Sequence, residues 1–140
     1  MASIELRENT WERWLPPLAV GLLGALFLAV LYRTAWLCDD AYITYRSIDN
    51  AVNGYGLRFN TIERVQTFTH PLWMLLHLPL RAISGNMYAV GMLVALRSTL
   101  AAMGWLLLRL SRTYTAMAFV LLAATLSKSF MDYSTSGLEN

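Results

Sequence analysis

Charged residues are scarce in this 140-residue chain, and cysteine is nearly absent. Only 14% of the residues are charged, whereas 56% are hydrophobic. A soluble domain of this size needs more polar surface, so the composition predicts a membrane protein with several spans. The single cysteine, Cys38, excludes an intramolecular disulfide and a metal site built from cysteines. The net charge of +2 comes without any cluster of lysines and arginines, and we therefore expect no nucleic acid partner.

The first long apolar segment covers residues 14–37 and follows a polar leader, residues 1–13. No charged residue occurs from Leu15 to Leu31, and about 20 apolar residues suffice to cross a ~30 Å hydrocarbon core. A cleaved signal peptide is the alternative. The leader has no net positive charge and no A-x-A cleavage site follows, so the pattern favours a retained transmembrane helix.

Residues 38–86 separate this segment from the next, and they contain two helical patterns, at about residues 40–53 and 69–83. The first pattern has an apolar face and several charges, which is typical of a helix on a membrane surface. The second is apolar on most sides, with His70, His77 and Arg81 on one polar stripe. It is only ~22 Å long, which is short of a span. We expect both to be juxtamembrane helices.

Residues 87–108 and 113–130 are two further apolar segments, which predict a second and a third transmembrane helix. The basic turn between them, residues 109–112, indicates a cytoplasmic connection. The predicted fold class is therefore an all-α membrane protein with three transmembrane helices and two juxtamembrane helices in the first exterior loop. Residues 131–140 then begin a second exterior loop. If the second juxtamembrane helix crosses instead, the protein has four transmembrane helices and the two loops lie on opposite sides.

Acidic side chains mark both predicted exterior loops. Asp39 and Asp40 follow the first span, and Glu139 follows the third. Carboxylates at the mouth of a span can act as a general base or as ligands of a divalent cation. A helix cap is the simpler interpretation of the aspartate pair. With three spans, Glu139 joins the pair, and like charges in one partly dry site raise the pKa of at least one carboxyl unless a cation intervenes.

Arg97, Lys128 and His70 are the candidate phosphate-binding residues. Arg97 lies about ten residues inside the second span, where a charge costs at least ~2.5 kcal/mol, so it needs a partner or a wet cavity. An ion pair with a loop carboxylate and a contact to a phosphate explain it equally well. Lys128 either extends to the water or adds a second positive charge. His70 either is an interfacial polar residue or faces the cavity of the carboxylates.

Four motifs and one arginine occur in an order that is found in a known family. They are DDAYITYR at residues 39–46, GYGLRFN at 54–60, TFTHPLW at 67–73, Arg97, and SGLE at 136–139. With these motifs the chain resembles the amino-terminal part of GT-C glycosyltransferases that use polyprenyl-phosphate sugars. It resembles above all the bacterial branch that includes mycobacterial terminal arabinofuranosyltransferases. More distantly, it is similar to protein O-mannosyltransferases and lipid A aminoarabinose transferases.

This resemblance implies roles for the candidate residues. Asp39 would be the catalytic carboxylate, Asp40 its companion, and Glu139 the acidic residue of the second exterior loop. Arg97 would contact the phosphate of the lipid-linked donor. The leaving phosphate would be stabilised by Arg97, with Lys128 and His70, or else by a divalent cation, Mg²⁺, Mn²⁺ or Ca²⁺, held by Asp40 and Glu139.

The activity that the resemblance implies is an inverting sugar transfer at the exterior face of the cytoplasmic membrane. The donor would be a polyprenyl-phosphate sugar among the membrane lipids, and the acceptor a hydroxyl of a cell-envelope glycan, lipid or protein. Family members have many more spans, so we expect this chain to be an incomplete part of an enzyme with a further carboxy-terminal portion. Two other functions fit the residues: a small non-catalytic membrane partner protein, and part of a transporter. A transporter is expected to place its charges near the bilayer midplane, unlike the aspartate pair.

Overall fold

The computed structural model describes residues 10–63, 65 and 68–138, and every regular element in this part of the chain is helical. The expected all-α class is therefore confirmed. The six α-helices are α1 (Thr10–Thr34), α2 (Asp39–Val52), α3 (Pro71–Ser84), α4 (Met87–Trp105), α5 (Tyr114–Leu126) and α6 (Lys128–Tyr133). A π-helical turn, Leu106–Leu110, continues α4.

Two of the helical segments are long and apolar enough to cross a membrane. They are Trp11–Thr34 and Met87–Leu110, each of 24 residues. The apolar window of the first is only 11% buried and that of the second 28%, whereas the core helix of a soluble protein would be mostly buried. These exposed apolar surfaces indicate a membrane protein. The number of spans stays a prediction, because α5 is a shorter apolar helix of 13 residues.

The apolar segment expected at residues 113–130 is divided in the structure at Ser127. Ser127 has an extended backbone, and its hydroxyl accepts a hydrogen bond from the Phe130 amide at 3.3 Å. A serine hydroxyl in this position satisfies an amide at the start of a new helix, which favours a break in the preceding one. Helix α5 therefore ends at Leu126, and Lys128 becomes the first residue of α6.

Two apolar clusters hold the helices together. In the first, α1 packs along α5 and α6 with a contribution from α4, through Phe27, Leu31, Met103, Leu121 and Met131. In the second, α2 and α3 pack on the first half of α4, through Ala41, Tyr45, Ile48, Met74, Met87 and Val90. As a result, the end of α1 and the start of α4 lie at the end of the helices where α2 and α3 pack. Helix α6 ends beside the middle of α4, at Thr99.

Helices α2 and α3 are joined by an ion pair as well as by apolar contacts. The Arg81 guanidinium donates to the Asp49 carboxylate at 2.5 Å, and the two side chains are 16% and 40% exposed. Helix α3 starts with Pro71 in its first turn and ends at Gly85, which has a positive φ of 70°. Both features are typical of helix termini and fix the length of α3 at 14 residues.

Candidate functional site

Residues 134–138, here called the C-terminal arm, lie against the link between α1 and α2. The Cys38 amide donates to the Ser136 carbonyl at 2.8 Å, and the Trp36 amide donates to the Thr135 hydroxyl at 3.1 Å. From α4, the Thr99 hydroxyl donates to the Ser134 carbonyl at 2.8 Å. The three hydroxyl residues of the arm are at most 3% exposed. The arm is therefore a buried, hydrogen-bonded part of the fold despite its polar sequence.

The carbonyl of Gly137 accepts two hydrogen bonds from aromatic side chains. The Tyr45 hydroxyl of α2 and the Trp73 indole Nε1–H of α3 each donate to it at 2.9 Å. Tyr45 is 2% exposed and Trp73 is 9% exposed, so both bonds lie away from water. Burial raises the pKa of the Tyr45 hydroxyl, with smaller contributions from Cys38 and Tyr42, which keeps it a neutral donor.

Two glycines make room for the Tyr45 ring. A Cβ on Gly91 of α4 would lie 2.3 Å from the Tyr45 hydroxyl oxygen, and one on Gly137 would lie 2.6 Å from it. Gly137 also has a positive φ of 87°, which side chains rarely adopt. The phenol is thus held between α4 and the arm, at positions where any larger residue would collide with it.

Asp39 and Asp40 are exposed in the first turn of α2. The structure corrects the idea that one of them is the N-cap, because that position belongs to Cys38, which makes no side-chain capping bond. Instead, an Asp39 carboxylate oxygen accepts from the Asp40 amide at 3.1 Å. Negative charges in the first turn of a helix are stabilised by the helix dipole, so the position of both exposed carboxylates is electrostatically favourable.

The described part of the arm ends at Leu138, the residue before Glu139 in the sequence. Glu139 itself lies outside the described residues, as does any contact it makes with the aspartates. The preceding residue, Leu138, packs on the cluster that includes Ala41 and Tyr45 of α2. The described part of the SGLE motif and the aspartate pair are therefore at the same end of the helices.

Arg97 is exposed on α4 and lines a groove with the second half of α3. The groove has a volume of about 160 Å³, and its other walls include Leu80, Ser84 and Val94. Within the described part of the chain, no carboxylate lies at ion-pair distance from Arg97. The Arg97 guanidinium therefore lies in an apolar groove. It forms no ion pair with a loop carboxylate among the described residues.

Lys128 and His70 are engaged locally. Lys128 forms an ion pair with Asp132 one turn later on α6, and its side chain is 85% exposed. His70 is the N-cap residue of α3 and its ring contacts the Thr69 hydroxyl at 3.0 Å. The ion pair of Lys128 lies on the solvent-exposed side of a short helix, and a role of Lys128 in phosphate binding stays a prediction.

His77 was expected on the polar stripe of α3, but it is completely buried. Its Nδ1–H donates to the Trp73 carbonyl at 2.8 Å, since a carbonyl can only accept. Its Nε2 has no hydrogen-bond partner among the described residues. The ring packs against Tyr45 and Trp73, at centroid distances of 5.6 and 4.8 Å. Burial lowers the pKa of His77, partly opposed by the bond to Trp73, so the imidazole is neutral.

The described residues do not form a ready-made metal centre. No group of three histidine, cysteine, aspartate or glutamate side chains converges anywhere among them. Of the two expected cation ligands, Asp40 is exposed in the first turn of α2 and Glu139 lies outside the described residues, so the metal site stays a prediction.

Comparison with known proteins gives one informative similarity. The chain is 30% identical over 137 residues to the terminal β-(1→2)-arabinofuranosyltransferase of Mycobacterium tuberculosis strain H37Rv. The aligned region covers 88% of this chain and 21% of that protein, so the chain spans about a fifth of the length of the curated relative. No family model and no solved structure matches. The similarity supports a GT-C-like glycosyltransferase, in agreement with the motif order.

Proposed function

We propose that this chain is part of a membrane glycosyltransferase that acts at the exterior face of the cytoplasmic membrane. The complete enzyme transfers a sugar from a polyprenyl-phosphate donor to an acceptor hydroxyl of the cell envelope. The name of the relative makes an arabinofuranosyl group the first sugar to test. The three spans expected from the sequence put the aspartate pair and Glu139 on the same side of the membrane.

The observation that carries this proposal is the docking of the arm against the start of α2. The hydrogen bond from Cys38 to Ser136 joins the residue before the aspartate pair to a residue of the SGLE motif. The two motifs are far apart in the sequence, and this bond supports their placement on the same side of the membrane. Proximity of the two motifs is expected if their carboxylates contribute to one reaction centre.

In the proposed reaction, Asp39 is the general base. It takes the proton of the acceptor hydroxyl as that oxygen forms a bond to the anomeric carbon. The bond between the anomeric carbon and the phosphate oxygen breaks, and the electron pair leaves with the lipid phosphate. Attack from the side opposite the leaving group inverts the anomeric centre. The exposure of Asp39 in a helical first turn supports this role, because the acceptor must reach its carboxylate from the water.

The leaving phosphate is stabilised by positive charge. Arg97 is proposed to bind it, because its guanidinium matches a phosphate in geometry and charge and has an apolar groove beside it for a lipid chain. Lys128 and His70 remain weaker candidates for the same role. A divalent cation held by Asp40 and Glu139 would supply further neutralisation of phosphate charge.

The test is an Asp39→Asn variant of the enzyme in membrane vesicles, supplied with a polyprenyl-phosphoryl arabinofuranose and a glycan acceptor. We expect transfer to fall by at least about a hundredfold, the usual contribution of a general base, without loss of membrane insertion. Glu63→Gln is the matched control, because Glu63 is an exposed carboxylate of the same loop that bonds only to Asn60 among the described residues. Full activity in Asp39→Asn would remove Asp39 from the chemistry.

A further inference from the structure

A second groove runs along the other side of α4, between this helix and the end of α1. Its volume is about 590 Å³. On α4 its walls are four residues spaced four apart, Tyr88, Met92, Leu96 and Leu100. This spacing keeps them on one side of the helix, and from first to last they extend roughly 18 Å along it.

The groove is polar at one end and apolar at the other. Arg33 and Tyr32 stand in the last turn of α1, and Tyr88 stands in the first turn of α4. These residues are therefore at the end of the helices where α2, α3 and the arm lie. Leu28 and Leu100 line the opposite part. A ligand that follows this groove would have a polar head and an apolar chain.

Arg33 has no partner in the part of the chain that the structure describes. No carboxylate lies within ion-pair distance of it, and its side chain makes no hydrogen bond there. A guanidinium binds a phosphate through paired hydrogen bonds, and tyrosines prefer the level of lipid head groups. The charge and the neighbours of Arg33 thus complement an anionic head group.

The size of the lining side chains argues against a tightly packed helix as the occupant. Helices that associate within membranes use small residues at the contact, so that their backbones approach closely. Here the walls on α4 are tyrosine, methionine and leucine, and Ala35 is the one small side chain of the lining. Such walls leave a channel that suits a flexible chain of methylene groups.

We propose that an anionic phospholipid binds in this groove. Its phosphate contacts Arg33 beside Tyr32 and Tyr88, and one acyl chain extends along α4 toward Leu100. An anionic lipid is preferred over a zwitterionic one, because the latter carries its own cation next to the phosphate. This site is separate from the groove of Arg97 and does not depend on the proposed sugar transfer.

Native mass spectrometry of the chain from nanodiscs that contain equal amounts of phosphatidylglycerol and phosphatidylcholine tests the proposal. We expect phosphatidylglycerol to be retained about fivefold more, the ratio that corresponds to ~1 kcal/mol for one basic residue at a lipid surface. Arg33→Gln should remove this preference, and Met92→Trp, which fills the groove, should remove the bound lipid. Arg109→Gln and Leu108→Trp are matched controls outside the groove and should change neither. Equal retention of the two lipids, or wild-type retention in both groove variants, would overturn the proposal.

A photo-crosslinking residue in place of Met92 separates a lipid from a helix as the occupant. In membranes that contain the chain together with any further portion of the enzyme, we expect adducts with phospholipid. Crosslinks that join this position to another protein segment would also overturn the proposal. Circular dichroism of each variant shows whether it has kept its helices, so that a lost lipid is not confused with a lost fold.

Discussion

Tyr45 and Gly137 are 92 positions apart in the sequence, yet the tyrosine hydroxyl donates to the glycine carbonyl at 2.9 Å. This bond lies in the protein interior, beside a second one from Trp73 to the same oxygen. It ties the helix that begins with the aspartate pair to the arm that precedes Glu139. The geometry of the candidate site therefore depends on aromatic residues that take no part in the proposed chemistry.

Gly137→Ala should undock the arm. Its Cβ would lie 2.6 Å from the Tyr45 oxygen and 2.7 Å from Leu37, and its φ of 87° is unfavourable for alanine. Gly54→Ala is the matched control, because Gly54 has a φ of 85° but nothing within 4 Å of a Cβ. Both variants should pay roughly 1 kcal/mol of backbone strain, and Gly137→Ala a further ~1–3 kcal/mol from overpacking. Thermal unfolding in detergent measures the difference. Equal losses in the two variants would show that the close contacts are unimportant.

The contributions of Tyr45 and Trp73 to the unfolding free energy should be coupled, because both donate to the Gly137 carbonyl. Tyr45→Phe removes one donor but leaves the oxygen bonded to Trp73, so we expect a loss of only ~1 kcal/mol. Trp73→Phe should lose more, since it also removes packing. With both changes the buried carbonyl has neither donor, and the double variant should be less stable than the sum of the singles predicts. A double-mutant cycle on unfolding free energies gives the coupling, and strict additivity would contradict the shared acceptor.

The free energy of unfolding should fall in mildly acidic solution, because the buried His77 imidazole is then protonated more readily in the unfolded chain. Burial lowers the pKa of this imidazole below its usual 6.5, so the folded protein binds its proton less readily than the unfolded chain. The stabilisation from the neutral ring is therefore complete above pH about 6.5 and declines as the pH falls from there toward the folded-state pKa. His77→Phe keeps an aromatic ring without a titrating group.

The comparison of these two proteins between pH 7.5 and 5 isolates the effect of His77. Tyr45, the other titratable ring beside it, does not titrate in this range, because its pKa is raised above its usual value. We expect the unfolding free energy of the wild type to decrease more steeply than that of His77→Phe. Parallel curves would mean that the protonation of His77 is not linked to folding.

Much of the helical layout can be predicted from the sequence alone, since local signals specify it. Ala41, Tyr45 and Ile48 recur at helical spacing and are buried on α2. Pro71 and Gly85 bound α3 in the positions that proline and glycine prefer. The break at Ser127 escaped prediction, because the apolar character continues across it and only a single hydroxyl capping bond distinguishes the two helices.

The arm and His77 show what a local pattern cannot reveal. Three consecutive hydroxyl residues, 134–136, are typical of an exposed loop, yet they are buried because groups far along the chain bond to them. These donors are the Thr99 hydroxyl, the Trp36 amide and the Cys38 amide. His77 shares a helical stripe with His70 and Arg81, but its ring is buried against Tyr45 of α2. Contacts between distant segments decide both cases. The chemical roles of Asp39, Arg97 and Glu139 likewise follow from motif order and stay predictions.

The position of the aspartate pair relative to the membrane can be tested with the single native cysteine. If the chain has three spans, Cys38 and a cysteine introduced by Tyr133→Cys lie on the exterior side, at the end of the helices where the arm docks. Tyr133→Cys and Arg109→Cys are each made in a Cys38→Ser background, and Arg109→Cys should lie on the cytoplasmic side. An impermeant maleimide applied to intact cells should label the first two proteins and leave the third unlabelled until the cells are lysed. Because the Cys38–Ser136 bond keeps residues 38 and 136 together, labelling of Cys38 but not of Tyr133→Cys from outside would refute both the topology and the shared site.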